Sequence, residues 1–303
     1  MEHHARGLLR DVSRSFYLSL RALPKPVRGT LSLAYLLARA ADTFADSGAL
    51  TPSRRLDALQ AVAAALATEE GGLRLVDCGL AVVEPQDHGL PPGEATLLHR
   101  LAELLAWYWA LPEVERALVR RVVDTIITGQ AADVTRTQVT SDQELDLYTF
   151  QVAGCVGEFW TRLCALKIPG FARAPIDELI ERGIRFGKGL QLVNVLRDTS
   201  KDAAIGRSYL PGVAAGANPE EKWAAAQPWI TRCREHLDEG RRYTKGVRGV
   251  RSRFVVWLPL RLAEETLDLL AAAGPAGMAA PVKVPRRQVR RIALGAWARA
   301  FRP

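Results

Sequence analysis

The sequence predicts an all-α fold, and three observations support that prediction. Apolar residues recur at helical spacing through much of the 303-residue chain. Helix-capping patterns recur along it, and no strand-rich region emerges. With 48% apolar and 24% charged residues, the chain can bury a substantial core. We therefore expect one helical domain over residues 1–303, because no stretch resembles a linker between halves.

The first two predicted helices lie near the N-terminus. Residues 5–20 carry apolar positions at helical spacing, and Pro24 with Pro26 should end this helix. The run from Gly29 to Asp46 is strongly helical and mostly apolar. It should therefore be buried over most of its circumference.

Later helices are predicted from caps and periodicity. Thr51 and Pro52 supply an N-cap and a first-turn proline, and Ser141 with Glu144 forms a capping-box pattern. Asn218 caps another helix. The predicted helical ranges are 51–67, 94–110, 112–134, 141–166, 218–239 and 253–270, with a central helix inside 187–211.

Two segments are predicted to be different in character. Residues 70–93 are rich in Gly and Pro and should form an irregular connection, with His88 as a loop residue. The tail 282–303 is basic and amphipathic. It suits either a solvated terminal helix or a helix resting on an anionic membrane surface.

Net charge and cysteine content limit the kinds of partner and the cellular compartment that the sequence is compatible with. A net charge of +8 suits nucleic acid, anionic lipid or phosphorylated small molecules. The four cysteines form no CxxC pair, so neither a zinc site nor a disulfide framework is indicated, and a reducing cytoplasm is expected. No secretory signal or membrane-spanning run is predicted. A nucleic-acid binder is disfavoured, because the arginines are dispersed without a recognition motif.

The central helix carries a polar stripe typical of a metal site. Gln191, Asn194, Asp198 and Asp202 follow at i, i+3, i+7 and i+11, so they project from one face. Carboxylate and amide oxygens without His or Cys suit Mg²⁺. Nearby cations indicate a polyanionic ligand. These cations are Arg197, Lys201 and Arg207.

A second stripe with the same progression lies in the helix of residues 29–46. Tyr35, Arg39, Asp42 and Asp46 follow at i, i+4, i+7 and i+11. An isolated pair of such carboxylates is usually solvated, but these are surrounded by apolar residues, where unpartnered carboxylates are costly. The pattern repeats 156 residues later, which favours function. We expect the two acidic rows to face each other.

Three further groups are candidates for the same site. Ser13, Arg14 and Ser15 offer a cation and two hydroxyls, although a solvated helix face is the plainer interpretation. Asp133, one turn after Gln130, is a further carboxylate. Tyr148 shares a predicted helix face with Val152, Cys155 and Phe159, and its hydroxyl needs a partner if buried.

Two acidic rows around an apolar pocket suit the ionisation of an allylic diphosphate. Mg²⁺ would bridge carboxylates and diphosphate as a Lewis acid, and an apolar cavity would shield a carbocation from water. A phosphatase or nuclease also uses paired carboxylates. It would need an activated water and has less reason for two buried apolar helices.

Four stretches resemble the squalene/phytoene synthase family of head-to-head prenyltransferases. They read VSRSF at 12–16, YLLARAADTFAD at 35–46, YTFQVAGCVG at 148–157, and GLQLVNVLRDTSKD with GRSYLP within 189–211. They keep the family's order and rough spacing across almost the whole chain. The resemblance implies an all-α isoprenoid-synthase bundle with a central apolar cavity and Mg²⁺ between the two aspartate motifs.

The resemblance also implies roles for individual residues. Tyr148 matches the tyrosine implicated in catalysis, together with the four aspartates. The implied metal ligands are Asp42, Asp46, Asn194, Asp198 and Asp202. The implied diphosphate-binding residues are Ser13, Arg14, Ser15, Tyr35, Arg39, Arg197 and Arg207, to which the central stripe adds Gln191 and Lys201.

The wording of the motifs is closest to squalene synthases. Two farnesyl diphosphates would then condense to presqualene diphosphate, which NADPH reduces to squalene. VKVPRR at 282–287 makes Lys283 and Arg286 candidates for the NADPH phosphates. Ala45 and Leu210 depart from the squalene synthase pattern, which keeps phytoene, dehydrosqualene and presqualene diphosphate synthases as alternatives. A non-catalytic helical lipid-binding protein is the alternative from a different class.

We expect a cytoplasmic protein. Its basic tail leaves two alternatives open, a solvated terminal helix and peripheral contact with the inner face of the membrane.

Overall fold

The structure, a computed structural model, describes residues 2–13, 17–83 and 90–301. Helices account for 80% of the described residues, which contain no β-strand. Their only β-type pairings are isolated bridges, Gln138 with Ser208 and Ala172 with Val247. The all-α prediction is confirmed.

The helices follow one another with short connections. In chain order they are α1 (Glu2–Val12), α2 (Tyr17–Ala22), α3 (Lys25–Asp46), α4 (Pro52–Ala67), α5 (Gly71–Val83), α6 (Pro92–His99), α7 (Leu101–Trp109), α8 (Glu113–Thr135), α9 (Asp142–Thr149), a π-helical turn (Phe150–Gly154), α10 (Cys155–Lys167), α11 (Ile176–Ala204), α12 (Pro219–Gly246), α13 (Val250–Ala273), α14 (Ala276–Ala279) and α15 (Arg286–Ala300). None of them, among the described residues, is long and apolar enough to cross a lipid bilayer.

The residues group into two compact units. The first contains Met1–Arg21 and Lys25–Thr135, and the second contains Ala22–Pro24 and Arg136–Pro303. The single domain and the central cavity expected from the sequence stay predictions.

In the first unit, α3 packs against α8 and α4. Leu33, Leu36, Leu37 and Phe44 of α3 are fully buried. α3 begins at Lys25, four residues before the predicted start, because a proline such as Pro26 is compatible with the first turn of a helix. The expected burial of this helix is therefore found along its apolar face.

The predicted helix over 5–20 is wrong as a single element. α1 ends at Val12, and a new helix begins at Tyr17. At the break, the Ser13 hydroxyl donates a hydrogen bond to the Leu9 carbonyl, an interaction that competes with continuation of the helix. Residues 14–16 lie outside the described part.

The predicted irregular connection over 70–93 is also wrong in its first half, which forms α5. Its glycines serve close packing: a Cβ at Gly71 would lie 2.4 Å from the Ala64 oxygen, and one at Gly79 would lie 2.6 Å from Leu101 Cδ1. Glycine content was therefore misread as loop character. His88 lies outside the described residues. The helix predicted over 94–110 divides at Arg100 into α6 and α7.

In the second unit, α11 packs against α10, the π-helical turn and α12. Small residues allow this close approach. A Cβ at Gly157 would lie 2.0 Å from the Gly183 oxygen, and one at Gly187 would lie 2.3 Å from the Ala153 oxygen. The π-helical turn was not predicted. The α-helical spacing assumed from the sequence put Val152 on the same face as Tyr148. Because the π-helical turn adds one residue to the winding, Ala153 and Gly157 are the residues that contact α11 instead.

His236 of α12 is buried against α11. It is 8% exposed, and neither ring nitrogen has a hydrogen-bond partner among the described residues. Burial, followed by the positive charges of Lys188 and Arg185, lowers the pKa of His236 to about 4. The imidazole is therefore neutral in the folded protein near pH 7.

We expect Gly157→Ala to lower the free energy of unfolding by about 3 kcal/mol, because the added methyl group overlaps the backbone of α11. Gly295→Ala is the matched control. Gly295 lies in a helix with nothing within 4 Å of the added atom, and its replacement should stabilise by about 1 kcal/mol. Urea unfolding of the three proteins measures both values. Equal effects of the two substitutions would contradict the packing described here.

We expect His236 to make the protein less stable in acid. Its folded pKa lies below its ordinary value, so the unfolded state binds the proton first, and stability falls as the pH drops from about 6.5 towards 4. The full effect is about 3 kcal/mol. Unfolding of the wild type and His236→Leu from pH 7.5 to 4.5 measures the difference. The exposed His99→Gln variant should follow the wild type, and parallel curves for wild type and His236→Leu would disprove the effect.

Candidate functional site

The first acidic row lies on α3, in the first unit. Arg39 Nη1 lies 3.4 Å from Asp42 Oδ2, and the Gln130 amide of α8 donates a hydrogen bond to Asp42 Oδ1. Although 44% of the Asp42 side chain is accessible, the protein surrounds it closely. Desolvation and the neighbouring Asp46 raise the pKa of Asp42 to about 6, against the opposing effect of Arg39.

Glu94 of α6 holds Arg39 in place. Arg39 Nη2 lies 2.5 Å from Glu94 Oε1, and Thr43 Oγ1 donates to the Arg39 carbonyl at 3.0 Å. Desolvation would lower the pKa of Arg39, but Glu94 and Asp42 outweigh it and raise the pKa. The guanidinium therefore lies between two carboxylates. Sequence reasoning missed Glu94, which is 55 positions away from its partner.

The remaining candidates of the first unit are distributed along α1, α3 and α8. The Tyr35 hydroxyl donates to the Val12 carbonyl at 3.4 Å. Ser13 is buried, with its hydroxyl bound to the Leu9 carbonyl, and Asp46 is exposed at the end of α3. Asp133 lies on α8, one turn beyond Gln130. Arg14 and Ser15 lie outside the described residues.

The second acidic row lies on α11, in the second unit. Asp198 Oδ1 is 3.2 Å from Arg197 Nε and 2.5 Å from Lys201 Nζ. Desolvation alone would raise the pKa of Asp198. The hydrogen bonds and charges of Arg197 and Lys201 outweigh it, and the pKa is lowered. Asp198 is thus ionised at neutral pH and matched by two cations of its own helix.

A chain of polar groups links this row to Tyr148. Asn194 Nδ2 donates to Gln191 Oε1 at 3.3 Å, and Gln191 Nε2 donates to the Tyr148 hydroxyl at 3.5 Å. The Tyr148 ring stacks on Tyr209 with centroids 5.0 Å apart, and the Arg136 guanidinium lies 5.6 Å from its centroid. Tyr209 and Arg136 therefore position Tyr148. Neither was identified from sequence.

Asp202 and Arg207 line a pocket at the end of α11. The turn there depends on Gly206, whose φ of 75° favours glycine, and the Arg207 amide donates to the Asp202 carbonyl at 2.8 Å. The pocket is small and partly open to solvent. Its polar and charged lining residues are Thr199, Asp202, Arg207, Ser208, Tyr209 and Lys222.

Lys222 is the most unusual of these lining residues. It is 8% exposed, and its ammonium group forms no hydrogen bond or ion pair with any described residue. The stem of Lys222 is buried while its ammonium group has no protein partner among the described residues, so this position suits an anion. Sequence reasoning missed Lys222, which lies in the first turn of α12 and belongs to no motif of the sequence.

Lys283 lies three residues before α15, Arg286 is the first residue of that helix, and both are exposed. The helix that follows them packs against α13. Their assignment to a nucleotide stays a prediction.

The donor set of both rows fits Mg²⁺. Among the described residues, no three His, Cys, Asp or Glu side chains lie close enough together to hold a metal ion by themselves. Mg²⁺ usually takes one or two carboxylates and completes its shell with water and phosphate oxygens. Beside Asp42, the Gln130 Oε1 atom is buried and has no hydrogen-bond donor among the described residues, so this oxygen suits a cation.

Comparisons with known proteins point to one family. The family model described as squalene/phytoene synthase matches residues 9–292. The 15-cis-phytoene synthase of Synechocystis sp. is 30% identical over 167 residues, covering 48% of each chain. Phytoene synthase 1 of Solanum lycopersicum is 33% identical over 164 residues, covering 48% of this chain and 38% of that enzyme. The match therefore spans about half or less of the length of these curated relatives.

Comparison with solved structures gives the fold. The complex of TcSQS with the ligand BPH1237 has a TM-score of 0.79 and 21% identity, covering 98% of this chain and 88% of that chain. At this identity the likeness concerns the fold alone. The fold is the all-α isoprenoid-synthase fold.

Proposed function

This chain belongs to the squalene/phytoene synthase family of head-to-head prenyltransferases, and from that membership we propose that it joins two farnesyl diphosphates to give squalene. The observation that carries the proposal is the charge pattern of the two acidic rows. In each row an aspartate is held by cations or amides of the same unit. A complex of metal ion and diphosphate carries both positive and negative charge. The metal ion can bind the aspartates, and the diphosphate can bind the cations that now pair with them.

Enzymes of this family depend in general on a divalent metal, Mg²⁺. In this chain Mg²⁺ would be held by Asp42 and Asp46 in one row and by Asn194, Asp198 and Asp202 in the other. When bound, it would supply Lewis-acid stabilisation of the leaving diphosphate. Because the carboxylates would then bind metal, Arg39, Arg197 and Lys201 would be released to bind phosphate oxygens.

The pocket at the end of α11 supports a further phosphate contact. Arg207 and Lys222 supply two positive charges against one carboxylate, that of Asp202. We assign the phosphate oxygens of a bound diphosphate to these two cations. Lys222 would thereby gain the partner that it lacks among the described residues.

Tyr148 is proposed to act on the prenyl part of the reaction. Its hydroxyl is oriented by Gln191, and its ring is fixed by Tyr209. Aromatic faces stabilise cations. The Tyr148 and Tyr209 rings therefore suit a carbocation released when the diphosphate leaves.

The reductive step is the finer part of the proposal. Squalene formation needs hydride from NADPH, and Lys283 with Arg286 would bind the NADPH phosphates. A cytoplasmic location, peripheral membrane contact and no nucleic-acid partner belong to the same proposal.

Phytoene synthase is the second candidate. It is favoured by the curated relatives, which carry that name and reach 30% and 33% identity. Such an enzyme would take geranylgeranyl diphosphate and would need no NADPH. A dehydrosqualene synthase would end the same sequence by loss of a proton in place of hydride addition, and a presqualene diphosphate synthase would stop before the second diphosphate leaves. A non-catalytic lipid-binding protein would consume none of these substrates.

The product of the purified protein decides among these candidates. With Mg²⁺, farnesyl diphosphate and NADPH we expect squalene, and without NADPH we expect presqualene diphosphate. Phytoene from geranylgeranyl diphosphate would instead establish the second candidate. If neither diphosphate is consumed, the enzyme proposal fails.

We expect Asp42→Asn and Asp198→Asn each to reduce turnover about a hundredfold or more, because each removes a negative ligand that would hold the Mg²⁺ needed to stabilise the leaving diphosphate. Asp268→Asn is the control, since Asp268 is exposed and paired with Arg234. Steady-state kinetics at saturating Mg²⁺ measures the effect. Full activity in either row's variant would remove that row from the proposed site.

We expect Lys222→Met to weaken the binding of inorganic pyrophosphate about tenfold without lowering thermal stability. The substitution removes a cation from the pocket but keeps an unbranched apolar side chain that can pack where the buried lysine stem lies. Calorimetric titration with pyrophosphate and Mg²⁺, together with thermal unfolding, measures both effects. The exposed Lys245→Met variant on the same helix is the control. A destabilised variant with unchanged pyrophosphate affinity would show that Lys222 is structural.

A further inference from the structure

Four arginines of the second unit lie around the start of α13. They are Arg173, Arg248, Arg251 and Arg253. The connection between α10 and α11 runs beside the connection between α12 and α13, because backbone hydrogen bonds join the two. The Arg173 amide donates to the Gly246 carbonyl, and the Arg248 amide donates to the Phe171 carbonyl, each at 2.7 Å. The backbone therefore brings positive residues of two connections to one end of α13.

Arg253 is the buried member of this group. The residue is 7% exposed, and its Nε atom is buried without a hydrogen-bond partner. Within the described part of the chain, its guanidinium forms no hydrogen bond and no ion pair. An arginine buried to this extent is ordinarily paired. Its donors are therefore available to an acceptor from outside the protein.

The charge that acts most on Arg253 is that of another cation. Burial lowers the pKa of Arg253, and the positive charge of Arg173 lowers it further. No carboxylate of the described residues opposes these two effects. Arg248 forms no ion pair with a described residue, and Arg251 donates only to the Ala22 carbonyl, at 3.4 Å. The start of α13 is therefore positive without a local counter-charge.

The backbone of α13 adds further donors at the same place. The helix has 24 residues, and its N-cap is Gly249, which has no side chain to satisfy the first amides. The Arg253 amide donates to the Gly249 carbonyl at 3.0 Å. The amides of Val250, Arg251 and Ser252 donate to no described residue. Because helical side chains tilt towards the N-terminus, the Arg253 guanidinium lies at the same end as these amides.

This arrangement places like charges together. The N-terminal end of a helix is positive, so acidic side chains stabilise it and cations do not. The first turn of α13 contains no Asp or Glu, and Arg251 and Arg253 lie in it. An anion bound at this end would interact favourably with the helix dipole and with the arginines at once.

From these observations we propose that the start of α13 binds a phosphate group, either free inorganic phosphate or the phosphate of a small ester. A tetrahedral oxyanion has enough oxygens to accept hydrogen bonds from helix amides and from a forked guanidinium together. It would give Arg253 and Arg173 the negative partner that the described residues do not supply. The burial of Arg253 favours a small ligand, because an extended acidic surface could not reach its guanidinium.

This phosphate site is separate from the site of the proposed reaction. α11 begins at Ile176, three residues after Arg173, and Asp198 follows 22 residues later on the same helix. At 1.5 Å per residue, that separation is about 33 Å. The proposal does not rest on the proposed function, and its test uses neither Mg²⁺ nor a prenyl diphosphate. Either proposal can therefore fail without the other.

Calorimetric titration of the full chain with sodium phosphate, in EDTA and at constant ionic strength, tests the proposal. We expect saturable binding that Arg253→Gln weakens about tenfold or more, because charge-assisted hydrogen bonds are lost. Arg290→Gln is the matched control, since it removes one exposed positive charge from α15, and it should bind as the wild type does. Lys222→Met should also retain this binding.

Three results of this titration would overturn the proposal. The first is no phosphate binding by the wild type. The second is wild-type affinity in Arg253→Gln, above all if Lys222→Met abolishes binding, because the anion would then occupy the pocket at the end of α11. The third is equal affinity for acetate, which would show that the site does not select a phosphate group.

Thermal unfolding separates phosphate binding from a purely structural role of Arg253. Without phosphate, Arg253→Gln should be at least as stable as the wild type, because it relieves repulsion between like charges. With phosphate at about ten times its Kd, the Tm of the wild type should rise and that of Arg253→Gln should not, because only the folded wild type carries the site. An equal loss of Tm in both buffers would show that Arg253 is structural.

Titration with glycerol 3-phosphate identifies the source of the phosphate group. Binding that Arg253→Gln weakens would assign the site to phosphate esters as well as to free phosphate. Binding of inorganic phosphate alone would assign it to the free anion. Binding of neither ligand would overturn the proposal.

Discussion

Local charge balance is the constraint on which the two acidic rows depend. Carboxylates one helical turn apart repel each other, and surrounding protein removes part of their hydration. Arg197 and Lys201 offset the charge of Asp198. Arg39 and Gln130 do the same for Asp42. The same cations are the ones a diphosphate needs. The proposed chemistry is therefore an exchange of partners in which no charge is left uncompensated.

The balance between desolvation and neighbouring charges shifts the aspartate pKa in opposite directions in the two rows. At Asp198 the cations prevail and lower the pKa, whereas at Asp42 desolvation prevails and raises it. One carboxylate is thus fully ionised before any ligand arrives, and the other is close to its titration point near pH 6. A positive metal ion favours ionisation of both. We therefore consider Asp42 the carboxylate whose charge depends more strongly on what it binds.

The sequence predicts the helical class, both polar rows and the cations beside them, because these follow from residue type and from spacing along one helix. It does not predict partners that come from another helix. Glu94 reaches Arg39 from α6, and Lys222 enters its pocket from α12. The glycines of α5 were misread for a related reason. A glycine that allows two helices to touch has the same local signature as one that bends a loop.

The π-helical turn decides which side chain meets the central helix. Gly157 lies against Gly183, and Ala153 lies against Gly187, so successive contacts are four residues apart on each of the two helices. The next contact joins Gln191 and Tyr148. It lies four residues beyond Gly187 on α11, but five residues before Ala153 on the segment that contains the π-helical turn. An uninterrupted α-helix would have brought Thr149 into line. The one extra residue of the π-helical turn therefore places the Tyr148 phenol beside Gln191, where an α-helix would place the Thr149 hydroxyl. Deleting that residue would rotate Tyr148 about the helix axis by about 100°, away from Gln191.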